Sequence, residues 1–274
     1  MGPARRIADL LRPARRIAVL SGAGLSAASG IPTFRDPGGV WERFDPERFS
    51  TATGLLRTFA VEPDRLREFA LAALSDVAAA EPNAGHRAIA RLGELREVHV
   101  ATQNVDGLHQ AAGSTNVYEL HGSLYEFRGL FCGHTQPLGR DAMRAMVEQL
   151  REPLGRHGGR RRLLRMLRPM FPRCAACGRR MRTSVVFFGE MLPVGAWSAA
   201  EQAARTCDAM LVVGTSASVY PAAMLPQVAA AEGKPVAAVT VDPSFRADWA
   251  AEVVVGAATE MLPAIVAGCG APVA

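Results

Sequence analysis

The chain has 274 residues, of which 49% are hydrophobic and 21% are charged. This composition is typical of a globular protein with a sizeable core and excludes a disordered chain. The apolar runs fall far short of the roughly 18 residues that cross a bilayer, so we expect no membrane partner. An apolar stretch of four residues at 17–20 and an odd total of five cysteines argue against a secretion signal and a disulfide framework, and we expect a cytoplasmic protein.

The positive charge is concentrated in one segment, which we call the arginine patch. Residues 151–182 contain eleven arginines and one acid and carry a net charge of +10, whereas the rest of the chain sums to −5. Such a patch attracts nucleic acid or another acidic partner. The alternative is a solvated arginine-rich flap, because no aromatic residues alternate with the arginines as they do on a nucleic-acid platform.

Short apolar runs alternate with helical stretches along most of the chain. Valine-rich runs predict strands at residues 17–20, 97–101, 116–120, 209–214, 235–241 and 252–255. Helices are predicted at residues 63–80, 83–95, 197–206, 221–232 and 260–266, with a further helix before the first strand. This alternation indicates an α/β fold with a doubly wound, Rossmann-like parallel sheet, in which ligands bind beyond the carboxyl ends of the strands.

Two segments interrupt the alternation. Residues 36–80 are expected to form a loop followed by a helix, and residues 124–185 contain the clustered cysteines and the arginine patch. We expect these two segments to form a smaller inserted domain. The Rossmann-like domain would then be discontinuous and comprise residues 1–35, 81–123 and 186–274.

The turn after the first predicted strand is rich in glycine. Residues 21–27 read Ser-Gly-Ala-Gly-Leu-Ser-Ala and satisfy G-x-G-x-x-G/A at the start of a helix. Glycines in this pattern let the backbone approach a pyrophosphate, although a tight turn without a ligand has the same sequence. Phe34 and Arg35 follow shortly and offer an aromatic ring and a cation to the same site.

Polar residues also follow the next two predicted strands. Gln103, Asn104 and Asp106 follow the second strand, and their side chains suit a carboxamide or a ribose, although Asn and Asp also form turns and helix caps. His121 follows the third. An imidazole there is a candidate general base, because it titrates near neutral pH, and a hydrogen-bonded structural histidine is the alternative.

Two later strands end in the same manner. Gly214, Thr215 and Ser216 form a small hydroxylated turn that suits a phosphate or a ribose, and Asp242 ends the following strand. A carboxylate in that place accepts hydrogen bonds from both ribose hydroxyls and repels a 2′-phosphate. The sequence therefore predicts NAD rather than NADP.

In their order and strand context these motifs resemble the sirtuins, the NAD-dependent protein lysine deacylases. The matching segments are residues 22–26, 30–35, 102–106, 119–122, 185–190 and 214–216. The resemblance extends from about residue 17 to residue 262. It implies that the acyl group of an acylated lysine is transferred to ADP-ribose while nicotinamide departs, which yields free lysine and O-acyl-ADP-ribose.

The resemblance also assigns roles to individual residues. His121 and Asn104 would be catalytic, with His121 as the base acting on the ribose hydroxyls. The residues assigned to NAD are Gly22, Ala23, Gly24, Ser26, Thr33, Phe34, Arg35, Gln103, Asn104, Asp106, Gly214, Thr215, Ser216, Asp242 and Ala258. The acylated protein or peptide would bind as an added strand; the residues assigned to it are Val186, Phe188, Gly189, Glu190 and Val219.

Sirtuins usually carry a structural zinc held by two Cys-x-x-Cys pairs, and this chain departs from that pattern. Cys174 and Cys177 form one pair, whereas the other retains only Cys132, because Gly129 stands where its first cysteine would be. The smaller domain is therefore expected to be helical and zinc-ribbon-like, with these three cysteines as ligands and His134 as a candidate fourth. A module without zinc is the alternative.

The acyl group and the reaction type have alternatives of their own. Ala70 and Ala73 stand where the desuccinylase branch places a tyrosine and an arginine, which pair with an acidic acyl chain. An unpaired carboxylate in an apolar pocket costs roughly several kcal/mol, so we expect a neutral acyl group, acetyl or longer. The alternative functions are an ADP-ribosyltransferase or NAD hydrolase on the same scaffold, and a non-catalytic ADP-ribose or nucleic-acid binding protein.

Overall fold

The structure is a computed structural model that describes residues 2–33, 40–154 and 159–270. Its strands are β1 (Arg16–Ser21), β2 (Glu97–Thr102), β3 (Val117–Glu119), β4 (Glu126–Gly129), β5 (Thr135–Pro137), β6 (Met181–Thr183), β7 (Ala209–Val213), β8 (Val236–Thr240) and β9 (Glu252–Val255). Its α-helices are α1 (Pro3–Leu11), α2 (Ala23–Ser26), α3 (Val40–Arg43), α4 (Pro46–Phe49), α5 (Ala52–Val61), α6 (Pro63–Ala79), α7 (Ala84–Leu95), α8 (Leu108–Ala111), α9 (Arg140–Arg151), α10 (Gly159–Leu167), α11 (Val194–Thr206), α12 (Leu225–Ala231) and α13 (Ala258–Cys269).

The chain divides into two compact units. The first unit comprises Met1–Gly30, Glu81–Leu120 and Leu192–Ala274, and the second comprises Ile31–Ala80 and His121–Met191. The division expected from the sequence placed residues 31–33, 121–123 and 186–191 in the larger domain, whereas the contacts group them with the second unit. In the part of the chain that the structure describes, no helix combines the length and the apolar character that a membrane crossing requires.

The first unit is built on a six-stranded sheet with the order β3-β2-β1-β7-β8-β9. All its strand pairs are parallel, and Ser21 at the end of β1 is in register with Thr102 of β2 and Val213 of β7. The doubly wound parallel fold predicted from the sequence is confirmed. The strand order reverses between β1 and β7, which makes the carboxyl ends of these two strands the topological switch point where such sheets bind ligands.

Alternate residues of β1 enter two hydrophobic cores, because successive side chains of a strand point to opposite faces. Ile17 and Val19 belong to the cluster that includes residues of α1, α7 and α13, whereas Ala18 and Leu20 belong to the cluster that includes residues of α11 and α12. Leu20 is fully buried, and burial of such a side chain contributes about 1.5–3 kcal/mol. The sheet is therefore fixed from both faces, which holds the strand ends in place.

The second unit combines a helical cluster with a small sheet. Leu74 of α6 and Met143 and Leu150 of α9 are buried in one hydrophobic cluster, and β4 pairs antiparallel with both β5 and β6. The expectation of a loop followed by one helix in residues 36–80 is wrong within the described residues, since α3, α4 and α5 precede α6. The Thr51 hydroxyl starts α5 by accepting a hydrogen bond from the backbone N–H of Gly54.

Candidate functional site

The turn after β1 lies directly against the turn after β7 at the switch point. The backbone N–H of Gly24 donates to the carbonyl oxygen of Gly214 at 2.8 Å. A Cβ atom at Gly22 would lie 2.7 Å from the Cβ of Thr215, and one at Gly214, whose φ is +62°, would overlap the backbone nitrogen of Leu25. Only glycine fits here. The two turns form a cradle of peptide groups, which we call the glycine cradle.

A buried polar network lies beside the glycine cradle. Asn104 donates from Nδ2 to the carbonyl oxygen of Gly22 at 3.1 Å and to Ser26 Oγ at 3.0 Å. Ser26 in turn donates to Asp106 Oδ2 at 2.6 Å, and Asp106 Oδ1 accepts from the N–H of Leu108 at 2.9 Å. Asn104 and Asp106 are 8% and 4% exposed. The structure thus brings together Ser26, Asn104 and Asp106, which were predicted from two separate motifs, and fixes the orientation of the Asn104 amide.

Two buried histidines, to which the sequence analysis gave no role, support this network. His109 Nε2 lies 2.8 Å from Ser21 Oγ, and the Ser21 hydroxyl donates to Thr102 Oγ1 at 2.9 Å. The rings of His86 and His109 are 5.1 Å apart. Burial lowers the pKa of His86 to about 4 and the pKa of His109 to about 3. Both rings are therefore neutral at physiological pH, and His109 donates from Nε2 to Ser21.

The start of α7 is tied to the turn that carries the site. Asn83 caps α7 by accepting hydrogen bonds from the N–H groups of Gly85 and His86 at 2.9 Å and 3.3 Å. Its Nδ2 donates to the carbonyl oxygen of Leu25 at 2.7 Å. A capping box is the pattern in the sequence that could have identified His86, because this histidine is the polar residue three positions after the N-cap asparagine.

The loop after β7 continues the site with hydroxyl groups. Gln103 donates from Nε2 to Thr215 Oγ1 at 2.9 Å, and Ser216 Oγ hydrogen-bonds to Ser218 Oγ at 2.7 Å. Val219, one of the predicted substrate residues, lies farther along this loop and is 41% exposed. The loop therefore connects Gln103, which follows β2, with Thr215, which follows β7.

Asp242 lies two residues after β8, on the same edge of the sheet. Its Oδ1 accepts hydrogen bonds from the hydroxyl and the backbone N–H of Ser244 at 2.6 Å and 2.8 Å. The hydroxyl bond lowers the pKa of Asp242 most, and the N–H bond lowers it further. The carboxylate is therefore exposed, ionised and held by its own turn. Ala258, also predicted to contact the cofactor, is the first residue of α13.

His121 lies in the second unit, two residues after the end of β3. Its carbonyl oxygen accepts a hydrogen bond from the N–H of Val186 at 2.8 Å. The next residue, Gly122, has φ +71°, and a Cβ atom there would overlap the carbonyl oxygen of Ser184. The backbone around His121 is thus packed against residues 184–186, which include the first of the predicted substrate residues.

The predicted substrate residues of the second unit follow β6. The N–H of Phe188 donates to the carbonyl oxygen of Ser50 at 3.0 Å. The carboxylate of Glu190 accepts two bonds from Arg182 Nη2, at 2.8 Å and 2.7 Å, and one from the N–H of Phe187 at 3.0 Å. Gly189 lies in the turn between them with φ +86°. Glu190 therefore stabilises this segment, while the Phe188 side chain is 69% exposed.

Three further predicted cofactor residues follow Gly30, where the chain passes from the first unit to the second. Thr33 belongs to the second unit and is half-buried. Phe34 and Arg35 lie outside the described residues. Their roles stay predictions.

Three cysteines of the second unit are brought together. The sulfur of Cys132 lies 3.5 Å from that of Cys174 and 3.4 Å from that of Cys177, and all three sulfurs lie within 4.8 Å of one another. Sulfurs bound at about 2.3 Å around a tetrahedral zinc ion are about 3.8 Å apart. The three cysteine sulfurs therefore fit zinc in both spacing and ligand type. Among the described residues His134 is not part of this group, and its carbonyl oxygen accepts from the N–H of Gly129 at 2.8 Å.

The turn around Cys174 favours the thiolate that a metal requires. The N–H groups of Cys177 and, to a lesser extent, Ala176 donate to the Cys174 sulfur and hold its pKa below the ordinary value, while burial acts in the opposite direction. The N–H of Gly178 donates to the Cys174 carbonyl oxygen at 2.8 Å and closes the turn. Cys132 and Cys177 are exposed, whereas Cys174 is buried.

The arginine patch includes one helix that exposes cations. Arg160, Arg161 and Arg165 of α10 are exposed, whereas Leu163 and Met166 of the same helix are buried in the helical cluster. The helix is therefore amphipathic, and its outer surface is strongly basic. A nucleic-acid or acidic partner for this surface stays a prediction.

Comparisons with known proteins agree with the motifs and the geometry. The sequence profile of the Sir2 family matches residues 22–221. The chain is 41% identical over 261 residues to the NAD-dependent protein deacylase 2 of Pyrobaculum aerophilum, which covers 95% of this chain and 93% of that protein. It is 43% identical over 251 residues to the NAD-dependent protein deacylase of Mycobacterium tuberculosis, which covers 91% of this chain and 96% of that protein.

A solved structure extends the likeness to the fold. A crystal structure of a Sir2 homologue in complex with NAD superimposes with a TM-score of 0.73 at 32% identity, and the match covers 96% of this chain and 93% of the other. The resemblance read from the motifs is thereby confirmed. Profile, relatives and fold all lead to one conclusion: this chain belongs to the Sir2 family.

Proposed function

We propose that this protein removes acyl groups from lysine side chains of proteins or peptides and consumes NAD as its co-substrate. The observation that carries the proposal is the glycine cradle at the switch point, with the buried Ser26–Asn104–Asp106 network beside it. The glycines at positions 22 and 214 let the two turns approach each other closely, which places their peptide groups at the switch point where a dinucleotide binds. Bound NAD supplies the ADP-ribose that accepts the acyl group and the nicotinamide that leaves.

Different residues of the chain bind the cofactor and carry out the chemistry. The N–H groups of Gly22, Gly24 and Leu25 already donate to protein carbonyl groups. The N–H of Ala23, at the start of α2, and the hydroxyls of Thr215 and Ser216 therefore bind phosphate and ribose oxygens. Asn104 presents an amide whose orientation is fixed by two hydrogen bonds. Asp106 brings a carboxylate into a buried place, where it stabilises developing positive charge more strongly than it would in water. His121 accepts the proton of a ribose hydroxyl.

The acylated peptide binds along residues 186–190. The N–H groups of Val186 and Phe188 already donate to His121 and Ser50 within the second unit. The carbonyl oxygen of Phe187 accepts from the N–H of Glu190. The peptide therefore pairs with the remaining backbone groups of this segment, as in strand addition. The exposed ring of Phe188 offers apolar contact beside it.

We propose that the acyl group is neutral. The positions at which the resemblance predicts carboxylate recognition hold Ala70 and Ala73, one turn apart on α6, and methyl side chains offer no partner to a buried charge. Acetyl or longer neutral acyl peptides should have a higher kcat/KM than succinyl peptides. The double variant Ala70→Tyr, Ala73→Arg should raise kcat/KM for a succinyl peptide, whereas Ala79→Arg at the exposed end of α6 should not. Faster turnover of the succinyl peptide by the parent protein would refute the proposal.

The reaction is tested by identifying its products. The protein is incubated with NAD and an acetylated peptide, and free lysine peptide, nicotinamide and O-acetyl-ADP-ribose are measured by mass spectrometry. His121→Ala should abolish all three products, while His99→Ala, which changes a histidine within β2 bonded to Tyr118, should retain them. Nicotinamide release that needs no acylated lysine would indicate instead an NAD hydrolase or an ADP-ribosyltransferase.

We further propose that the protein acts in the cytoplasm. Its five cysteines are free, which is the state that reducing compartments maintain. Expression with a fluorescent tag and fractionation of the cells would test this location.

A further inference from the structure

The cluster of three cysteine sulfurs has a glycine, Gly129, beside it where a fourth ligand could stand. Gly129 is the last residue of β4, and a Cβ atom there would lie 2.8 Å from the sulfur of Cys132 and 3.8 Å from that of Cys174. A side chain at position 129 would therefore point into the group of three sulfurs. In this chain residue 129 contributes no ligand atom to the group, and two of the three cysteines are exposed to solvent.

The backbone does not require a glycine at position 129. The residue is absent from the glycines with positive φ, it pairs with Met181 in the small sheet, and its N–H donates to the carbonyl oxygen of His134. An L-residue can adopt these backbone torsions, and the Cys132 sulfur would have to shift to admit its Cβ atom. The main effect of Gly129 is thus on the sulfur cluster, where it removes a potential ligand.

We propose that the second unit binds one zinc ion through the thiolates of Cys132, Cys174 and Cys177, and that the fourth ligand is a water molecule or another small solvent ligand on the Gly129 side. Among the described residues the group of potential ligands that includes these three sulfurs has no fourth member. A tetrahedral zinc with three protein ligands keeps a position for an exchangeable ligand, whereas a closed four-thiolate site does not.

The proposal is tested on the full-length protein with cobalt in place of zinc. Co²⁺ bound by thiolates absorbs visible light, and its spectrum depends on all four ligands. Titration with imidazole should shift the visible bands of the parent protein with a saturable dependence, because imidazole replaces the solvent ligand. In Gly129→Cys a fourth thiolate should occupy that position, and the bands should no longer respond to imidazole.

A second measurement and a matched control accompany the spectra. Zinc transfer to a chromogenic chelator should be at least about tenfold slower for Gly129→Cys than for the parent protein. Gly139→Cys adds a thiol at a residue with nothing within 4 Å of its Cβ position, and it should behave as the parent protein does.

The outcomes separate clearly. A parent protein that binds no Co²⁺, or whose cobalt spectrum is unchanged by imidazole, overturns the proposal. Because the imidazole titration uses the parent protein, it decides the matter even when Gly129→Cys fails to fold. Neither measurement depends on deacylase activity.

Discussion

The amide of Asn104 donates two hydrogen bonds in a place with little access to water, since the residue is 8% exposed. Asn104→Ala would leave the carbonyl oxygen of Gly22 without this donor and would release the hydroxyl of Ser26. We expect the free energy of unfolding to fall by about 1–3 kcal/mol. Deacylation should fall at least about 100-fold, because the proposed function places this amide against the substrate and the variant also loses its support of Ser26.

Chemical denaturation and initial rates check this prediction. Asn116→Ala is the matched control, because Asn116 also donates from Nδ2 to a carbonyl oxygen, that of Val98, yet is exposed. Equal losses in the two variants would contradict a special role for Asn104.

The two buried histidines make stability depend on pH. Burial lowers the pKa of His86 to about 4 and that of His109 to about 3, whereas an unfolded chain has histidine pKa values of about 6.5. Below pH 6.5 the unfolded state binds more protons than the folded state. Their contribution to stability is therefore complete above pH 6.5 and is lost as the pH falls towards 4, at up to about 1.4 kcal/mol per pH unit for each ring.

Urea unfolding between pH 7.5 and pH 5 measures this slope. His109→Gln should reduce it by up to about 1.4 kcal/mol per pH unit, since one of the two rings is removed. A slope that is the same in the parent protein and the variant would show that His109 is not protonated on unfolding.

Site residues could be predicted from the sequence where the neighbouring residues reveal their place in the fold. Gly22, Asn104 and Gly214 follow apolar strands, and parallel strands bring their carboxyl ends to one edge. His86 and His109 were given no role, because their neutrality depends on burial by segments distant in sequence. Gly129 was identified as a departure, although only the structure could reveal that its Cβ direction meets two sulfurs.

The close approach of the turns after β1 and β7 makes this contact between two elements sensitive to substitution. Gly214→Ala combines a left-handed backbone with an overlap between the new Cβ and Leu25, whereas Gly233→Ala meets the same backbone problem in open space. Both should lose about 1–2 kcal/mol from the backbone alone. Gly214→Ala should lose more, and its affinity for NAD should fall at least about tenfold.

Urea unfolding and calorimetric titration with NAD compare the two variants. The affinity of Gly233→Ala for NAD should equal that of the parent protein. If Gly214→Ala also binds NAD normally, the glycine cradle is not the cofactor site.

Elements with a strong apolar pattern were predicted well, and short or charged ones were not. The four central strands of the large sheet are largely buried on both faces, and their apolar runs are plain in the sequence. The small sheet has strands of only three or four residues. The pattern of α9 was missed because arginines and acids separate its buried residues Met143, Met146, Val147 and Leu150, although their spacing is that of an amphipathic helix.

The charge of the chain is divided between the basic arginine patch and an acidic remainder. We expect the triple variant Arg160→Gln, Arg161→Gln, Arg165→Gln to elute from immobilised heparin at a clearly lower salt concentration than the parent protein, because binding to polyanions depends on local cations. The triple variant Arg57→Gln, Arg87→Gln, Arg91→Gln changes three exposed arginines of α5 and α7 and the net charge by the same amount. Equal shifts in the two would indicate that total charge, and not the patch, governs binding.

The chain passes between its two units four times, at residues 30, 80, 120 and 191. β1 lies in the middle of the large sheet, yet its partner β7 follows about 190 residues later. On the ribosome, β1 therefore has one unpaired edge until β7 has been made, whereas every segment of the second unit has been synthesised by Met191. The order of synthesis thus makes the first unit, which contains the glycine cradle, the last to be completed and leaves the nascent chain with an open β-edge to protect.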